Sequence, residues 1–594
     1  MAWLIASGIL VVVTRGQLPK SDASTLEDKD KPNSYLILLL AGVVLIVLGV
    51  GLIAVVAPPN NFDSMTYHMG RVVHWIQDRS VAHYPTNIIR QIYPGPWSSF
   101  AITNLQILSG GDRFANLIQW MSMVGSLIGV SLIAQQLGAG ARGQVFAVVT
   151  CATIPMGILQ GSSTQNDFVV SFWLVCLAYC VLQAIQSKFE NHYWILAAGA
   201  SLGLAILTKG TAYLYAFPFC LWLVFSGFRR LQFKLLKPMV GFGAIALALN
   251  ISHYFRNWYV FGSFIGESGQ GLEVFSLNIF LSNILRNIAL HLSTPVRSIN
   301  LITIGAVENL HALLGVDASD PRTTSPPGQS FDIHGLINHE DLAGNPLHLF
   351  LFVAVTIAFF LIKQPFKRRQ RYFLATYWLV VVAGFLLFCA LIVWSPWRSR
   401  LHLPIFVLAA PFIGSVLAEI IGRRFTNIIV AGLLCISFIW VGFNETRPLI
   451  LNSQVVETQQ VQNIFNQSRI DQYFAARPDL KNSYIEAARF IEAQGCSSIG
   501  LNFGGNTWEY PFWVLLNSHA KPSLQIKHVG VNNASSAQTQ MPAYRNFIPC
   551  AVVAHEVEAT EQEEIVAFQD TYRRQWHEGG LSIFLNQTIS IQNK

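Results

Sequence analysis

Charged residues are scarce in this chain, and their scarcity indicates its class. Asp, Glu, Lys and Arg make up only 12% of its 594 residues, whereas 52% are hydrophobic. A soluble domain carries about twice that charged fraction. The apolar residues also come in long blocks, as they do in a chain whose solvent is lipid. The sequence therefore predicts a polytopic α-helical membrane protein.

The sequence also lacks the patterns typical of a cysteine metal site, a secretory signal and a nucleic-acid-binding protein. The eight cysteines show no CxxC spacing, and six lie in or beside apolar blocks, where cysteine packs as a small hydrophobic residue. No basic residue precedes the first apolar run, Ala2–Val13, so it does not resemble a secretory signal. The net charge of +7 would suit nucleic acid, but the basic residues cluster in short loops between apolar blocks. We therefore expect no nucleic-acid partner.

Eleven apolar segments predict membrane-spanning helices. The clearest, Tyr35–Ala57, is long enough to cross a hydrocarbon core of about 30 Å. The others are Leu117–Leu137, Val145–Leu159, Phe168–Ile185, Tyr193–Leu207, Thr211–Phe225, Pro238–Phe255, Leu347–Ile362, Phe373–Trp394, Leu401–Ile421 and Ile428–Phe443. Whether Ala2–Val13 also crosses is left open, so the expected number is about eleven to twelve.

The positions of the basic residues predict the orientation. If the segments alternate, the basic connections all fall on one side, and the positive-inside rule makes that side the cytoplasm. These residues are Arg142, Lys188, Arg229, Arg230, Lys234, Lys237, Lys363, Lys367, Arg368, Arg369, Arg371, Arg423 and Arg424. The polar loops and the C-terminal region would then be extracytoplasmic, and we expect the protein in the cytoplasmic (inner) membrane.

Three regions follow from this pattern. Residues 1–34 form an N-terminal apolar segment and cytoplasmic linker. Residues 35–443 form the membrane domain, with outer loops 58–116 and 256–346, and residues 444–594 form an extracytoplasmic α/β domain. Within the second loop, Leu272–Leu292 is apolar enough to lie along the membrane surface as an interfacial helix.

The C-terminal region has its own periodicity. Ser483–Ala493 predicts a helix, and three short runs predict strands in a small, partly parallel sheet: Cys496–Phe503, Ile548–Ala554 and Leu581–Leu585. Cys496 and Cys550 could form a disulfide if this region is extracytoplasmic. The role of the domain cannot be read from its sequence.

The first candidate for chemistry is Asp63, just outside the first membrane segment. Asp63, Tyr67, His68 and Arg71 recur at spacings of three and four, so they share one face of a helix. A carboxylate at the lip of a membrane helix can act as general base for an incoming hydroxyl. Asp is also a preferred N-cap. Both interpretations remain open on the sequence.

A second acid and several cations fall on the same predicted side. Asp167, in GSSTQND, could line a pocket or cap the helix Phe168–Ile185. The cations are Lys209, Arg256, Arg398 and Arg400. A guanidinium matches the oxygens of a phosphate and can stabilise the charge that develops on a leaving group. The alternative is that each cation anchors a helix end at the lipid headgroups.

The stretch INHEDLAGNPLH supplies His339, Glu340, Asp341 and His348 just before a membrane segment. Histidine and carboxylates are common cation ligands, but their spacing here matches no specific metal template. A solvated entry to the helix is the alternative. No cofactor is indicated with certainty, and a divalent cation is left open.

These features together resemble the GT-C superfamily of membrane glycosyltransferases. The closer likeness is to the branch near the protein O-mannosyltransferases and the lipid A aminoarabinose transferase. It rests on Asp63 within FDSMTYHMGR, on Asp167 in the short outer turn GSSTQND, on the pair Arg256 and Asn257, and on WRSRLHLPIF, which holds Arg398 and Arg400. The second acid typical of the O-mannosyltransferases is absent, since Ser64 follows Asp63.

The resemblance implies a mechanism. A sugar would move, with inversion, from a polyprenyl-phosphate donor to the hydroxyl of a lipid, glycan or protein acceptor, and Asp63 would be the base. Candidates to hold the phosphate are Arg71, Lys209, Arg256, Arg398 and Arg400. Tyr67, His68, Tyr84, Asp167, Asn257 and Glu340 would shape the donor and acceptor pockets.

Three other functions compete with this reading. The chain could be a lipid or polysaccharide transporter (flippase), a polysaccharide polymerase or ligase, or a non-catalytic subunit. Transporters carry charged sites near the bilayer midplane and often show repeated halves. Here the membrane segments hold few charges, and no internal repeat is evident. An enzyme at the membrane surface is therefore favoured.

Overall fold

The computed structural model describes residues 34–267, 271–335, 337–362, 365–420, 422–451, 462–516, 521, 523–567 and 570–587. The run Ala2–Val13 and the basic residue Lys363 lie outside these residues. The described chain is helical up to Gly442, and its C-terminal part contains a mixed β-sheet.

Each of the eleven apolar segments is helical in the structure. Their helices are α1 Ser34–Val56, α4 Leu117–Gln136, α5 Ala141–Ala152 with α6 Pro155–Gln160, α7 Asp167–Gln186, α8 Tyr193–Thr208, α9 Thr211–Leu231, α10 Leu236–Phe261, α13 Pro346–Leu361, α14 Arg368–Leu391, α15 Leu403–Ile420 and α16 Arg423–Gly442. Among the described residues, seven helical stretches are long and apolar enough to span a membrane, and α8 and α13 are shorter apolar helices. The protein is a polytopic helical membrane protein, as predicted.

One predicted segment is not a single helix. The expectation of an unbroken Val145–Leu159 is wrong, because α5 ends at Ala152 and α6 begins at Pro155. Proline has no N–H to donate within a helix but fits its first turn, where that donor is not needed. The break leads the chain into the polar turn that carries Asp167.

Close backbone contact holds α5 against α15, and Gly414 makes it possible. A Cβ built on Gly414 would lie 2.6 Å from both Ala147 Cα and Gly143 O. We expect Gly414→Ala to destabilise the protein by about 1–3 kcal/mol, because backbone atoms cannot move aside as a side chain can. Thermal unfolding of the detergent-solubilised protein measures this. Gly432→Ala in α16 is the control, since nothing lies within 4 Å of its built Cβ, and an unfolding temperature equal for the two variants would contradict the argument.

The outer segments contain four further helices: α2 Met69–Asp78, α3 Trp97–Ser109, α11 Leu277–Ala289 and α12 Arg297–Leu314. The predicted interfacial helix Leu272–Leu292 is shorter than expected, and α12 was not anticipated. The side of α11 that faces the protein is polar, with Asn283, Arg286 and Asn287 buried, whereas Leu277 is 68% exposed. Of its apolar residues, Leu277 faces the surroundings, whereas Phe280 and Ile284 pack against the membrane core.

The C-terminal region is built on a six-stranded mixed sheet. Its strands are β1 Ser498–Phe503, β2 Gln525–His528, β3 Ala551–His555, β4 Glu564–Ala567, β5 Asp570–Glu578 and β6 Leu581–Asn586, and its helices are α17 Arg469–Tyr473, α18 Lys481–Ala493, α19 Tyr510–Leu515 and α20 Pro542–Arg545. The strand order is β2-β1-β3-β6-β5-β4, with β1 parallel to β2 and β3 and the other pairs antiparallel. The partly parallel sheet is confirmed; β2, β4 and β5 were not predicted.

Two features tie this sheet together and attach it to the membrane domain. Cys496 and Cys550 form a disulfide with a Cα–Cα distance of 5.5 Å. Met65 and Met69 of the first outer segment pack in one apolar cluster with Trp508 and Phe512. The C-terminal domain therefore covers the segment that carries Asp63.

Candidate active site

Asp63 lies in the first turn of a helix that begins just after α1, but it does not cap that helix. The cap is Asn61, whose Oδ1 accepts a hydrogen bond from the Ser64 amide at 2.7 Å. Asp63 has helical dihedral angles and makes no side-chain capping bond, so the capping alternative is wrong. The chain continues as a π-helical turn, Ser64–His68, a distortion that is frequent at functional sites. The Asp63 carboxylate is therefore free for other contacts.

Arg400 is the partner of Asp63. Its Nη1 atom lies 2.7 Å from Asp63 Oδ2 and 2.6 Å from Asp341 Oδ1, so one guanidinium holds two carboxylates from distant parts of the chain. Arg400 belongs to the 3₁₀ turn Pro396–His402, which leads into α15. Gln165 also donates to Asp341. The side chains of Arg400, Asp63 and Asp341 are 8–18% exposed, so water screens the interaction between their charges only in part.

The two carboxylates have opposite pKa shifts. Burial alone would raise the pKa of Asp63, but the Arg400 guanidinium lowers it to about 2. Burial raises the pKa of Asp341; Arg400 and His339 oppose that rise and the Asp63 carboxylate supports it. The pKa values of two neighbouring carboxylates move apart in this way, because the negative charge of one makes ionisation of the other less favourable.

Tyr67 and His68 line the same site, as the shared helix face predicts. The Tyr67 hydroxyl hydrogen-bonds the Asp63 carboxylate. Burial lowers the pKa of His68 to about 3, so its imidazole is neutral at physiological pH. The Arg90 guanidinium lies 5.3 Å from the centroid of the Tyr67 ring and adds a second positive charge near Asp63.

Asp167 pairs with Lys209. Its Oδ1 lies 2.5 Å from Lys209 Nζ, and its buried Oδ2 has no hydrogen-bond partner among the described residues. The capping alternative is wrong here too, because Gln119 Oε1 accepts from the amides of Phe168 and Val169 at the start of α7. Burial lowers the pKa of Lys209 against the opposing effect of Asp167, and the charge of Arg400 adds to the fall. The Arg400–Asp63 pair and the Lys209–Asp167 pair are therefore close enough to interact electrostatically.

Four predicted site residues hold the first outer loop instead. Arg71 is fully buried and donates to the carbonyls of Arg90, Gln91 and Gly95. Tyr84 donates to Gln91 Oε1 at 3.0 Å. Asn257 bonds His83 at 2.8 Å, and Arg256 donates to the carbonyl of Val81 at 3.0 Å. These contacts keep residues 81–95 in place beside the site.

Arg398 lies in the same 3₁₀ turn as Arg400 and donates to the carbonyl of Val393 at 3.1 Å. The residues of INHEDLAGNPLH are spread out: Asp341 contacts Arg400, whereas His348 bonds the carbonyl of Thr150 at 3.0 Å. His339 Nδ1 lies 3.9 Å from Asp341 Oδ2. The stretch therefore contributes one carboxylate directly to the cluster of Arg400, Asp63 and Asp341 (the Arg400 cluster).

Glu340 forms a separate buried ion pair behind the site. Its Oε1 lies 3.0 Å from Arg447 Nη1, and both side chains are fully buried. Arg447 also donates to Asn60 Oδ1 at 2.6 Å, and Thr446 donates to Glu340. This pair therefore joins the end of the membrane domain to the chain just before Asp63.

Removing one partner of this pair should be costly. We expect Arg447→Met to destabilise the protein by about 3–5 kcal/mol, because it leaves the Glu340 charge buried without a partner. Chemical or thermal unfolding measures the loss. The control is Arg477→Met, whose pair with Asp479 at 2.7 Å is 41% and 58% exposed and contributes less than about 1 kcal/mol. Equal losses in the two variants would show that burial of the pair is not what matters.

Several site residues have no clear signal in the sequence. Asp341 stands next to Glu340, and nothing in the sequence tells which of the two faces the cations. Gln165 lies in a turn and Arg90 in the short 3₁₀ helix Ile89–Gln91, and neither has a periodic sequence pattern around it. Arg447 follows the last membrane helix and looks like an ordinary headgroup anchor. Only their tertiary contacts reveal their roles.

An apolar cavity of about 360 Å³ lies between α11, α13, α14 and α15. Its lining includes Ile288, Phe352, Trp378, Phe385, His402 and Phe406. His402 is two residues from Arg400 and belongs to the same turn. One turn of the chain therefore contributes both a residue of the cavity wall and the cation that holds Asp63.

Comparison with known proteins gives a partial match. Residues 95–255 match the sequence model of the family described as dolichyl-phosphate-mannose-protein mannosyltransferase. The match contains Asp167 and Lys209, whereas Asp63 precedes it and Arg400 follows it. No curated protein sequence matches the chain.

Three solved structures are similar at low identity. ArnT from Cupriavidus metallidurans bound to undecaprenyl phosphate is 14% identical, with 93% of this chain and 98% of that chain covered and a TM-score of 0.47. The archaeal oligosaccharyltransferase AglB from Archaeoglobus fulgidus, in complex with an inhibitory peptide and a dolichol-phosphate, is 13% identical (87% and 69% covered, TM-score 0.46). The arabinosyltransferase EmbB from Mycobacterium smegmatis is 11% identical (88% and 44% covered, TM-score 0.36). The central segment of the chain therefore matches a mannosyltransferase family model, and the predicted likeness to the protein O-mannosyltransferases is confirmed over residues 95–255.

Proposed function

We propose that the protein transfers a sugar from a polyprenyl-phosphate donor to an acceptor hydroxyl. The observation that carries this proposal is that the turn Pro396–His402 holds both Arg400 of the charged cluster and His402 of the cavity wall. The cavity suits a prenyl chain, and the Arg400 guanidinium suits a phosphate. A lipid-linked phosphate is a ligand that has both of these parts.

The cations have distinct tasks in this proposal. Arg400 and Lys209 would bind the donor phosphate, and both are held in place by carboxylates in its absence. As the bond between the anomeric carbon and the phosphate oxygen breaks, its electron pair passes to that oxygen. The nearby guanidinium stabilises the charge that develops there. Arg90 is a further positive charge at the rim of the site.

Asp63 would be the base. A donor phosphate competes for Arg400, and weaker contact with Arg400 raises the pKa of Asp63 from its low value, which makes it a better proton acceptor. The acceptor oxygen attacks the anomeric carbon from the side opposite the phosphate and gives its proton to Asp63. Attack from that side inverts the configuration at the anomeric carbon. Tyr67 and His68 would position the sugar or the acceptor.

We place this site on the extracytoplasmic face of the cytoplasmic membrane. The basic connections predict that orientation. The Cys496–Cys550 disulfide supports it, because disulfides persist in oxidising compartments. A lipid-linked donor fits the same side, since its sugar is already attached to a carrier. Lipid, glycan and protein hydroxyls all remain candidate acceptors.

The test is to delete the gene in its host, restore it, and profile lipid-linked and surface glycans by mass spectrometry. We expect deletion to remove one sugar from a glycan, lipid or protein and the restored gene to return it, the mass difference identifying the sugar. Loss of a whole oligosaccharide block would favour a polymerase or ligase. Unchanged glycans in all strains would overturn the proposal.

A further inference from the structure

A second buried cluster lies between the first outer segment and the C-terminal domain. It consists of His74 of α2, Glu509 just before α19, and His528 at the end of β2. His74 Nε2 lies 2.8 Å from Glu509 Oε1, and His528 Nε2 lies 3.0 Å from Glu509 Oε2. All three side chains are 0–1% exposed. Three segments that are remote in sequence therefore meet at one polar point.

We propose that this cluster binds a divalent transition-metal ion of the zinc type through three protein ligands. Two imidazoles and a carboxylate are ligands that zinc prefers. One ligand atom from each residue lies within 4.8 Å of the others. With zinc–ligand bonds of about 2.1 Å, neighbouring ligand atoms are about 3–3.5 Å apart. The two histidine–carboxylate distances, 2.8 and 3.0 Å, are slightly shorter than or equal to this spacing, so a small outward movement of the two imidazoles would accommodate the ion.

The charge of the cluster supports a bound cation. The ion-pair contacts of Glu509 in the described part of the chain are with His74 and His528, and neither is a permanent cation. A buried carboxylate requires a compensating positive charge. The alternative to a metal ion is a proton shared within the cluster. A chelator would destabilise the protein if a metal ion is bound and would leave its stability unchanged if a proton is shared.

The surroundings resemble the outer sphere of a metal site. Trp513 Nε1 donates to Glu509 Oε1 at 2.9 Å and the Gln91 amide donates to Oε2, which fixes the carboxylate. Such contacts orient metal-bound carboxylates. The Nδ1 atoms of His74 and His528 are buried without a hydrogen-bond partner in the described structure, so the carboxylate is the ligand that these outer contacts orient.

Gly70 keeps this space open. A Cβ built on Gly70 would lie 2.6 Å from Gln91 Nε2 and 3.5 Å from Glu509 Oε2. The helix α2 therefore approaches the cluster closely because residue 70 has no side chain. A metal ion here would join α2 to the C-terminal domain, since His74 comes from the former and Glu509 and His528 from the latter.

The experiment uses the full-length protein, purified in detergent without added metal or chelator. We expect inductively coupled plasma mass spectrometry to find about one zinc-type ion per chain. The content should fall at least several-fold in Glu509→Gln and in His528→Gln. His555→Gln is the matched control, because His555 is a buried histidine of β3, which β1 separates from β2, and it lies outside the cluster. No transition metal in the wild type would overturn the proposal.

A second measurement stands even if the variants fail to fold. A strong chelator should lower the unfolding temperature of the wild-type protein by several degrees, and zinc in excess should restore it. A proton-bound network would give an unfolding temperature that the chelator does not change, and that result would also overturn the proposal. Neither readout requires transferase activity, so the outcome is independent of the proposed function.

Discussion

Asp63→Asn is expected to abolish sugar transfer while leaving the fold intact. Asparagine has nearly the same shape as aspartate but cannot accept the proton of an attacking hydroxyl, so we expect a loss of about a hundredfold to ten-thousandfold in rate. Because Asn61 rather than Asp63 caps the helix, the change removes no capping bond. Complementation of the deletion strain, with glycan profiling by mass spectrometry, measures the effect.

Two comparisons make this result interpretable. Asp317→Asn is the matched control, because Asp317 is an exposed aspartate of the second outer segment whose contact with the Ser319 amide asparagine can reproduce. Its activity should equal that of the wild type. The Asp63→Asn protein must also reach the membrane in the wild-type amount. Full activity of Asp63→Asn at that amount would exclude Asp63 as the base.

The features of the site that the sequence predicts are those set by the order of the segments and by local spacing along the chain. Alternation of apolar segments places Asp63, Asp167, Lys209 and Arg400 on one side, and the structure brings these four into one electrostatic group. The spacing that puts Tyr67 and His68 beside Asp63 is also local. Arg71 shares that helix face, yet it turns toward backbone carbonyls of its own loop. A shared face fixes the direction of a side chain but not its partner.

What the sequence could not predict depends on contacts between distant segments. Glu340 and Asp341 are neighbours, but the fold pairs Glu340 with Arg447 and Asp341 with Arg400. The strand β5, DTYRRQWHE, was missed because it is mostly polar and partly exposed, so it lacks the apolar alternation of a buried strand. The break at Pro155 was readable in principle, since proline rarely stands inside a helix.

Arg400→Gln is expected to affect both stability and activity. It leaves the carboxylates of Asp63 and Asp341 close together without their shared cation, which we expect to cost about 3–5 kcal/mol of unfolding free energy. It also removes the proposed phosphate ligand, so donor binding and transfer should be lost. Arg322→Gln is the control, because its pair with Asp320 lies at the surface and its side chain is 63% exposed.

The stability loss should depend on pH in a defined direction. Since the pKa of Asp63 in the folded protein is lowered to about 2, the ionised carboxylate stabilises the wild type at neutral pH, and this contribution is lost as the pH falls through the acid range. Without Arg400 the pKa of Asp63 rises and the contribution disappears. The difference in unfolding free energy between wild type and Arg400→Gln should therefore shrink toward acid pH. A difference independent of pH would show that Arg400 acts by packing rather than by charge.

Adding Asp341→Asn to Arg400→Gln separates the two roles of the guanidinium. The double variant has one buried carboxylate instead of two, so the repulsion is relieved and part of the stability should return, with a coupling of about 0.5–3 kcal/mol. Activity should not return, because the phosphate ligand is still missing. Recovery of both would show that Arg400 only neutralises Asp341, and recovery of neither would show that the two carboxylates do not repel one another. Stability without activity is the result that assigns Arg400 to the donor phosphate.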